Sequence, residues 1–92
     1  MRKKSNKPTK AQKERMGRLK YMPCIVCGYS PVEVQHCNTK MGLKKDHDAT
    51  ISLCFEHHRG KMGIHTIGRR LWEKLFGSED ELLIKTNKLL GL

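Results

Sequence analysis

The chain of 92 residues is 37% hydrophobic, 5% aromatic and 30% charged, with a net charge of +10. This length allows one domain with a small apolar core, which alone gives only marginal stability. No apolar run is long enough for a membrane span or a secretory signal, so we expect a cytoplasmic protein without a membrane partner.

The positive charge is concentrated at the amino end. Residues 1–20 contain nine Lys and Arg against the single acid Glu14, so this segment carries +8 and the remaining residues +2. We predict a disordered arm over residues 1–10 and one domain over residues 11–92, because residues 1–8 have no apolar periodicity. A basic arm favours nucleic acid as the partner, and a solubilising tail is the alternative. The arm's cations are Arg2, Lys3, Lys4, Lys7 and Lys10.

A short helix is predicted from Thr9 to Tyr21, with Thr9 as its cap. Pro23 ends it, and the sequence Cys24-Ile25-Val26-Cys27-Gly28 then has the form of a zinc knuckle. Glycine after the second cysteine permits the positive-φ turn that directs backbone amides at thiolate sulfur.

Two extended segments follow. Alternating β-branched residues predict a strand over 32–37, and residues 50–53 predict a second, which leads Cys54 into a helical turn. The polar, glycine-containing residues 38–49 between them are predicted to form a loop. This loop would carry three lysines toward solvent or phosphate: Lys40, Lys44 and Lys45.

Two helices are predicted at the carboxyl end, after a connector at 61–64. The first covers 67–76 with Thr66 as its cap and ends at Gly77, and the second covers about 79–90 behind the capping box Ser78-x2-Glu81. Helical spacing predicts an apolar side on each. Its members are Ile67, Leu71, Trp72, Leu75 and Phe76 in the first helix, and Leu82, Leu83, Thr86, Leu89 and Leu90 in the second.

The cysteines predict a structural zinc site. A Cys-x2-Cys pair and, 26 residues later, a Cys-x2-His pair offer four ligands at the spacing that tetrahedral zinc uses. In a reducing compartment such cysteines favour metal over disulfides. His57 and His58 are both within reach, and we favour His57 because Cys-x2-His repeats the spacing of Cys-x2-Cys. The predicted ligands are Cys24, Cys27, Cys54 and His57.

With zinc assigned, several sequence features point to one family. They are the knuckle Pro-Cys-x2-Cys-Gly, the strand residues 33–36, the segment 50–60 with Cys-x2-His-His-Arg-Gly, then Gly63-Ile64-His65, and Arg69-Arg70-Leu71-Trp72-Glu73. Over about residues 22–78 the chain resembles the HNH nucleases, and among them the phage-type group similar to recombination-enhancement (Ref-like) nucleases. The resemblance implies an α+β fold: a zinc-stabilised ββα-metal (His-Me finger, treble-clef-like) domain with flanking helices.

The resemblance also implies an activity, the hydrolysis of DNA phosphodiester bonds with one divalent cation. Mg²⁺ is the first choice, and Mn²⁺ or Zn²⁺ are alternatives. His36 occupies the position of the base that activates water, and His58 that of a cation ligand. His65 is a second ligand or a phosphate contact. Arginines at three positions would bind the phosphate backbone: Arg59, Arg69 and Arg70.

The chain departs from the family at Gln35, where many members have a His or Asp cation ligand. An amide oxygen can ligate a hard cation but lacks the charge of a carboxylate, which Asp46 or Asp48 would supply. His47 is nearest the asparagine of the family name. The leading hypothesis is a nuclease of phage recombination or DNA processing in the bacterial host, with an unknown recombination or packaging partner. The alternatives are a catalytically silent DNA-binding module of the same fold and a protein-interaction zinc finger.

Overall fold

The structure, a computed structural model, describes residues 7–37 and 48–92. It contains, in order, α1 (Lys10–Leu19), β1 (Val32–His36), β2 (Thr50–Cys54), α2 (Phe55–His58), α3 (Ile64–Ile67), α4 (Arg69–Phe76) and α5 (Glu79–Leu89). Across these residues no helix is long and apolar enough to cross a membrane. Some predictions lie outside the described residues, namely those for Arg2, Lys3, Lys4, Lys40, Lys44, Lys45, Asp46 and His47.

Helix α1 begins where the sequence predicts. The Thr9 hydroxyl accepts a hydrogen bond from the Gln12 N–H, and the Thr9 N–H donates to Gln12 Oε1, which completes a capping box. Its first residue is Lys10, from the predicted arm. The Arg15 guanidinium donates to the Thr50 hydroxyl and carbonyl oxygens, each at 2.8 Å. These bonds fasten the helix to the first residue of β2.

The two strands form an antiparallel sheet in which Gln35 lies opposite Ile51 and His36 opposite Thr50. Side chains of a regular strand alternate between faces, so Gln35 and His36 belong to different faces of the sheet. Ile51 and Leu53 are fully buried, and with Trp72 they form the centre of the core. Each predicted strand is confirmed to within one residue.

The zinc knuckle is attached to β2 by two hydrogen bonds, one between backbone groups and one from a side chain. The Ile25 N–H donates to the Ser52 carbonyl at 2.9 Å, and the Ser52 hydroxyl donates to the Pro23 carbonyl at 2.8 Å. Gly28 has a φ of 80°, as the turn requires, and its N–H donates to the Cys24 carbonyl. Both cysteines of the knuckle are thereby held beside the end of β2.

The prediction of one helix over 67–76 capped by Thr66 is wrong. Gly68, with a φ of 92°, divides the segment into α3 and α4, and α3 begins at Ile64 inside the predicted connector. Thr66 lies within α3, and its hydroxyl donates to the Arg59 carbonyl at 3.3 Å. This break allows α3 to follow the end of α2 while α4 packs on the core.

The apolar side predicted for α4 is correct for Trp72 and wrong for Leu71 and Leu75. Trp72 is fully buried, but Leu71 and Leu75 are 48% and 51% exposed. Successive residues of a helix lie about 100° apart, so the face that buries Trp72 and partly buries Phe76 turns the preceding leucines outward. In α5 the capping box is confirmed, and Leu82 and Thr86 are buried. Leu89 is exposed, contrary to its prediction.

Gly63 allows α3 to approach α2 closely. A Cβ at this position would lie 2.5 Å from the Arg59 nitrogen and 2.6 Å from the His58 carbonyl carbon, closer than any side chain tolerates. The absent side chain therefore lets His65, two residues later, lie against His58.

Replacing Gly63 by alanine is expected to destabilise the fold by about 1–3 kcal/mol, because backbone atoms must move to admit the Cβ. Gly17→Ala is the matched control. Nothing lies within 4 Å of a Cβ on Gly17 in α1, so alanine should stabilise the protein there by about 0.5–1 kcal/mol. Urea unfolding of both variants measures the difference, and equal stability of the two would contradict the close contact.

Candidate metal centre

Three separate elements contribute to one cluster of potential metal ligands. Cys24 and Cys27 come from the knuckle, Cys54 is the last residue of β2, and His57 lies in α2. Their ligand atoms all lie within 4.8 Å of one another. In the part of the chain that the structure describes, this is the one group of three or more His, Cys, Asp or Glu residues that meets this distance.

The spacing of the ligand atoms fits tetrahedral zinc. With Zn–S bonds near 2.3 Å and Zn–N bonds near 2.0–2.1 Å, the edges of the tetrahedron are about 3.8 Å for S···S and about 3.6 Å for S···N. Cys27 Sγ and Cys54 Sγ are 3.8 Å apart. His57 Nδ1 lies 3.3 Å from Cys54 Sγ and 3.9 Å from Cys24 Sγ. The cluster could therefore hold a structural zinc ion, with His57 binding through Nδ1.

The thiols of the cluster differ in their electrostatic surroundings. Burial raises the pKa of Cys24, but hydrogen bonds from the backbone of Cys54, Cys27 and Val26 outweigh it, so that the pKa lies below its ordinary value. Burial above all raises the pKa of Cys27 to about 11, and the neighbouring thiols also raise it. Zinc binds thiolates and releases their protons, so a bound ion would offset the repulsion between the negative charges of the neighbouring thiolates.

The choice between the two adjacent histidines follows from their contacts. His57 Nδ1 faces the sulfur atoms, and the His57 ring packs edge-on against Phe76 with centroids 4.8 Å apart. His58 Nδ1 instead lies 2.6 Å from Glu33 Oε1. Cys37, which was not predicted to bind zinc, is buried elsewhere and its N–H donates to the Ala49 carbonyl.

A second group of polar side chains lies next to the zinc cluster. His58 and His65 have ring centroids 4.9 Å apart, and His65 Nε2 lies 3.0 Å from Gln35 Oε1. These three residues come from α2, α3 and β1. The structure therefore brings together the three positions that the sequence predicts as cation ligands. His65 is exposed whereas Gln35 is buried, so solvent reaches the group from the side of His65.

Glu33 supports this group, although no sequence motif assigned it a role. Its carboxylate accepts two hydrogen bonds from the Arg59 guanidinium, at 3.0 and 2.8 Å, in addition to its contact with His58. These hydrogen bonds, first from Arg59 and then from His58, lower the pKa of Glu33 from 4.5 to about 2. The charged form therefore stabilises the fold at neutral pH, and this contribution is lost as the pH falls from 4.5 towards 2.

His36 lies on the face of β1 opposite to Gln35. Glu33 and Gln35 share the face of β1 that meets His58 and His65, whereas the alternation places His36 on the face of its partner Thr50. His36 is the last residue of β1 and is partly buried.

The predicted phosphate-binding residues have different surroundings. Arg59 is exposed but engaged with Glu33. Arg69 and Arg70 are exposed on the first turn of α4, where Arg69 lies 3.8 Å from Glu73. Lys7 and Lys10 are exposed near the start of α1. Their roles in binding phosphate remain predictions.

Two acids differ from expectation. Asp48, predicted to compensate for the neutral Gln35, accepts a hydrogen bond from Gln12 of α1 at 2.9 Å. Glu79, expected from its sequence only as part of a capping box, is buried and accepts a hydrogen bond from Gln35 Nε2 at 3.1 Å.

The sequence signal that could have identified Glu33 is its i, i+2 spacing from Gln35 on one strand face. Glu79 lies 44 positions from Gln35, and no local pattern relates them.

No protein-family profile matches the chain, and a search of curated proteins finds no match to its sequence.

The purified protein is expected to contain one zinc ion per chain. Cys24→Ser should lose the metal and its cooperative unfolding, because a structural zinc contributes directly to folding free energy. Cys37→Ser removes a buried thiol outside the cluster and should retain the zinc. Metal analysis by plasma mass spectrometry, paired with thermal unfolding, measures both properties. Equal zinc content in the two variants would contradict the assignment.

Proposed function

We propose that the chain is a zinc-stabilised nuclease of the HNH type, which hydrolyses DNA phosphodiester bonds with a bound divalent cation. Phage DNA recombination or processing is the setting that the resemblance implies. The observation that carries the proposal is the convergence of Gln35, His58 and His65 beside the Cys₃His cluster. These residues lie on three different elements, and the contact of their polar side chains beside the exposed His65 is not needed to complete the core.

The distances in this group are suited to a small divalent cation. Two neighbouring ligands of an octahedral ion with bonds near 2.1 Å lie about 3.0 Å apart. His65 Nε2 and Gln35 Oε1 are 3.0 Å apart. Two imidazoles and one amide oxygen accept Mn²⁺ or Zn²⁺ readily, and an oxygen-rich remainder of water and phosphate would suit Mg²⁺.

Glu33 prepares His58 for this role. With Nδ1–H donated to the Glu33 carboxylate, the lone pair of His58 is on Nε2, the atom on the far side of the ring. Carboxylate partners of this kind orient the ring and increase the basicity of a metal-binding histidine. Arg59 in turn fixes the carboxylate through two hydrogen bonds. When bound, the cation would supply neutralisation of the charge that develops on the phosphate oxygens.

His36 is the proposed base, and the exposed arginines Arg59, Arg69 and Arg70 are proposed phosphate contacts. A neutral imidazole accepts a proton from water near pH 7, and guanidinium groups match the geometry of phosphate oxygens. The geometry of β1 supports Gln35 as a ligand, because Gln35 is on the face that meets His65. It supports His36 as the base less directly, because His36 is on the opposite face.

The position of His36 on the opposite face of β1 favours a second candidate, a DNA-binding module without catalytic activity. In that role the zinc cluster and the Gln35 group would stabilise a surface that holds DNA. The basic residues of the amino end and of α4 would supply electrostatic attraction to phosphate. The two candidates differ in whether DNA is cut.

Plasmid nicking by the zinc-loaded protein in Mg²⁺ or Mn²⁺ distinguishes them. We expect nicking, and we expect His58→Ala and His65→Ala to reduce its rate by more than the roughly 10–100-fold that removing an outer-shell partner costs. His36→Ala should reduce it by about 10²–10⁴-fold, as the removal of a general base does.

Each variant must retain one zinc per chain, so that a lost fold is not mistaken for lost chemistry. DNA binding without nicking in every divalent cation would leave the binding module in place of the enzyme. Nicking that survives His36→Ala but not His58→Ala would leave the nuclease and remove only the assignment of the base.

The basic amino end is expected to contribute to DNA affinity by neutralising phosphates. Replacing Arg2, Lys3 and Lys4 together by glutamine should reduce the slope of log Kobs against log salt concentration by about 2–3, because each neutralised phosphate contributes about 0.9 to the slope. Replacing Lys85 and Lys88, two exposed lysines of α5, is the control and should change the slope less. Fluorescence anisotropy at several salt concentrations gives both slopes, and equal slopes would exclude the amino end.

A further inference from the structure

A buried carboxylate lies directly behind the proposed cation ligands. Glu79, the first residue of α5, is only 2% exposed, and Gln35 is 6% exposed. The Gln35 amide nitrogen donates to Glu79 Oε2 at 3.1 Å. Glu79 is held in place through its backbone, because its N–H donates to Glu73 Oε2 at 2.7 Å across the turn between α4 and α5.

This contact determines which way the Gln35 amide points. A carboxylate can only accept hydrogen bonds, so the nitrogen of the amide must face Glu79 and the oxygen must face away. The atom that faces away, Gln35 Oε1, lies 3.0 Å from His65 Nε2. In the reverse orientation two oxygens would meet at Glu79, and the nitrogen would be turned toward His65, where it could not ligate a cation.

The contact also brings negative charge to a group of neutral ligands. Gln35, His58 and His65 carry no formal charge when the imidazoles are neutral, which is a weak set for a hard divalent cation. The carboxylate of Glu33 contacts His58, and the carboxylate of Glu79 accepts a hydrogen bond from Gln35. Each acid therefore brings a negative charge next to a neutral ligand. Asp48, the acid that the sequence suggested for this purpose, accepts a hydrogen bond from Gln12 of α1.

We propose that Glu79 is a positioning residue that turns the oxygen of Gln35 toward the cation beside His65 and supplies the charge that glutamine lacks. The inference rests on the proposed function, because it concerns the same cation. It explains how glutamine serves at a position where a charged or imidazole ligand is usual: the amide ligates, and the buried carboxylate behind it carries the charge.

The test is Mn²⁺ binding to the zinc-loaded protein, followed by electron paramagnetic resonance, which needs no DNA and no turnover. Glu79→Gln keeps the shape of the side chain and an acceptor for Gln35 but removes the charge. We expect it to weaken Mn²⁺ binding by about 10–100-fold, the usual cost of removing an outer-shell partner, and to retain one zinc per chain. Asp80→Asn removes a charge from the same first turn of α5 and should change Mn²⁺ affinity less than about twofold.

A double variant separates positioning from stability. Gln35→Glu combined with Glu79→Gln exchanges the two groups, so the charge is placed on the ligand itself, and Mn²⁺ affinity should return at least to that of the natural protein. Gln35→Glu alone is compared with the double variant, and the free energy of unfolding of Glu79→Gln is measured by urea unfolding. A purely structural role for Glu79 predicts that Mn²⁺ affinity falls only as far as Glu79→Gln loses stability or zinc.

The outcomes also separate this inference from the function on which it rests. If the natural protein binds Mn²⁺ and Glu79→Gln binds it equally well, the role of Glu79 is wrong and the nuclease proposal stands. If the natural zinc-loaded protein binds no Mn²⁺ and His65→Ala is indistinguishable from it, the proposed cation site is wrong and the role of Glu79 with it.

Discussion

The Cys₃His cluster is the constraint on which the other features depend. Its two halves lie in segments separated by 26 residues, and the four ligand atoms are within 4.8 Å. The core beneath them is small, with Trp72, Ile51 and Leu53 as its main members. In a chain of this size, the free energy gained by packing the core is about equal to the conformational entropy lost on folding. The free energy of metal binding adds to this small difference. One ion at this point would fix the knuckle, the end of β2 and the start of α2 relative to one another.

The same constraint positions the polar group next to it. His57 and His58 are neighbours in α2, and consecutive helical side chains point about 100° apart. One histidine therefore faces the sulfur atoms while the next faces Glu33 on β1. Gly63 then allows α3 to pass close to the end of α2, which places His65 beside His58. Fixing His57 on a metal would thus fix the orientation of the neighbouring group as well.

Much of this arrangement could be predicted from local sequence. The zinc ligands are paired at short spacing, the strands alternate, and the caps at Thr9 and Ser78 have complete signatures. The rest depends on tertiary contacts. Gly68 ends α3, but a glycine inside an apolar helical pattern is also compatible with a continuous helix. Which side of α4 is buried depends on what it packs against, so Trp72 was predicted correctly and Leu71 was not.

The supporting acids were the hardest to foresee. Glu79 has the local sequence of a helix start, and its contact with Gln35 spans 44 positions. The meeting of Gln35, His58 and His65 was expected from family resemblance. The position of His36 on the face opposite Gln35 follows from the alternation of side chains along β1, which the sequence alone could have indicated.

X-ray absorption at the zinc edge is the most direct measurement of whether one ion joins the two distant segments. We predict three sulfur ligands at about 2.3 Å and one nitrogen ligand at about 2.0–2.1 Å. A shell of nitrogen and oxygen ligands alone, or a folded protein with no zinc, would contradict this assignment.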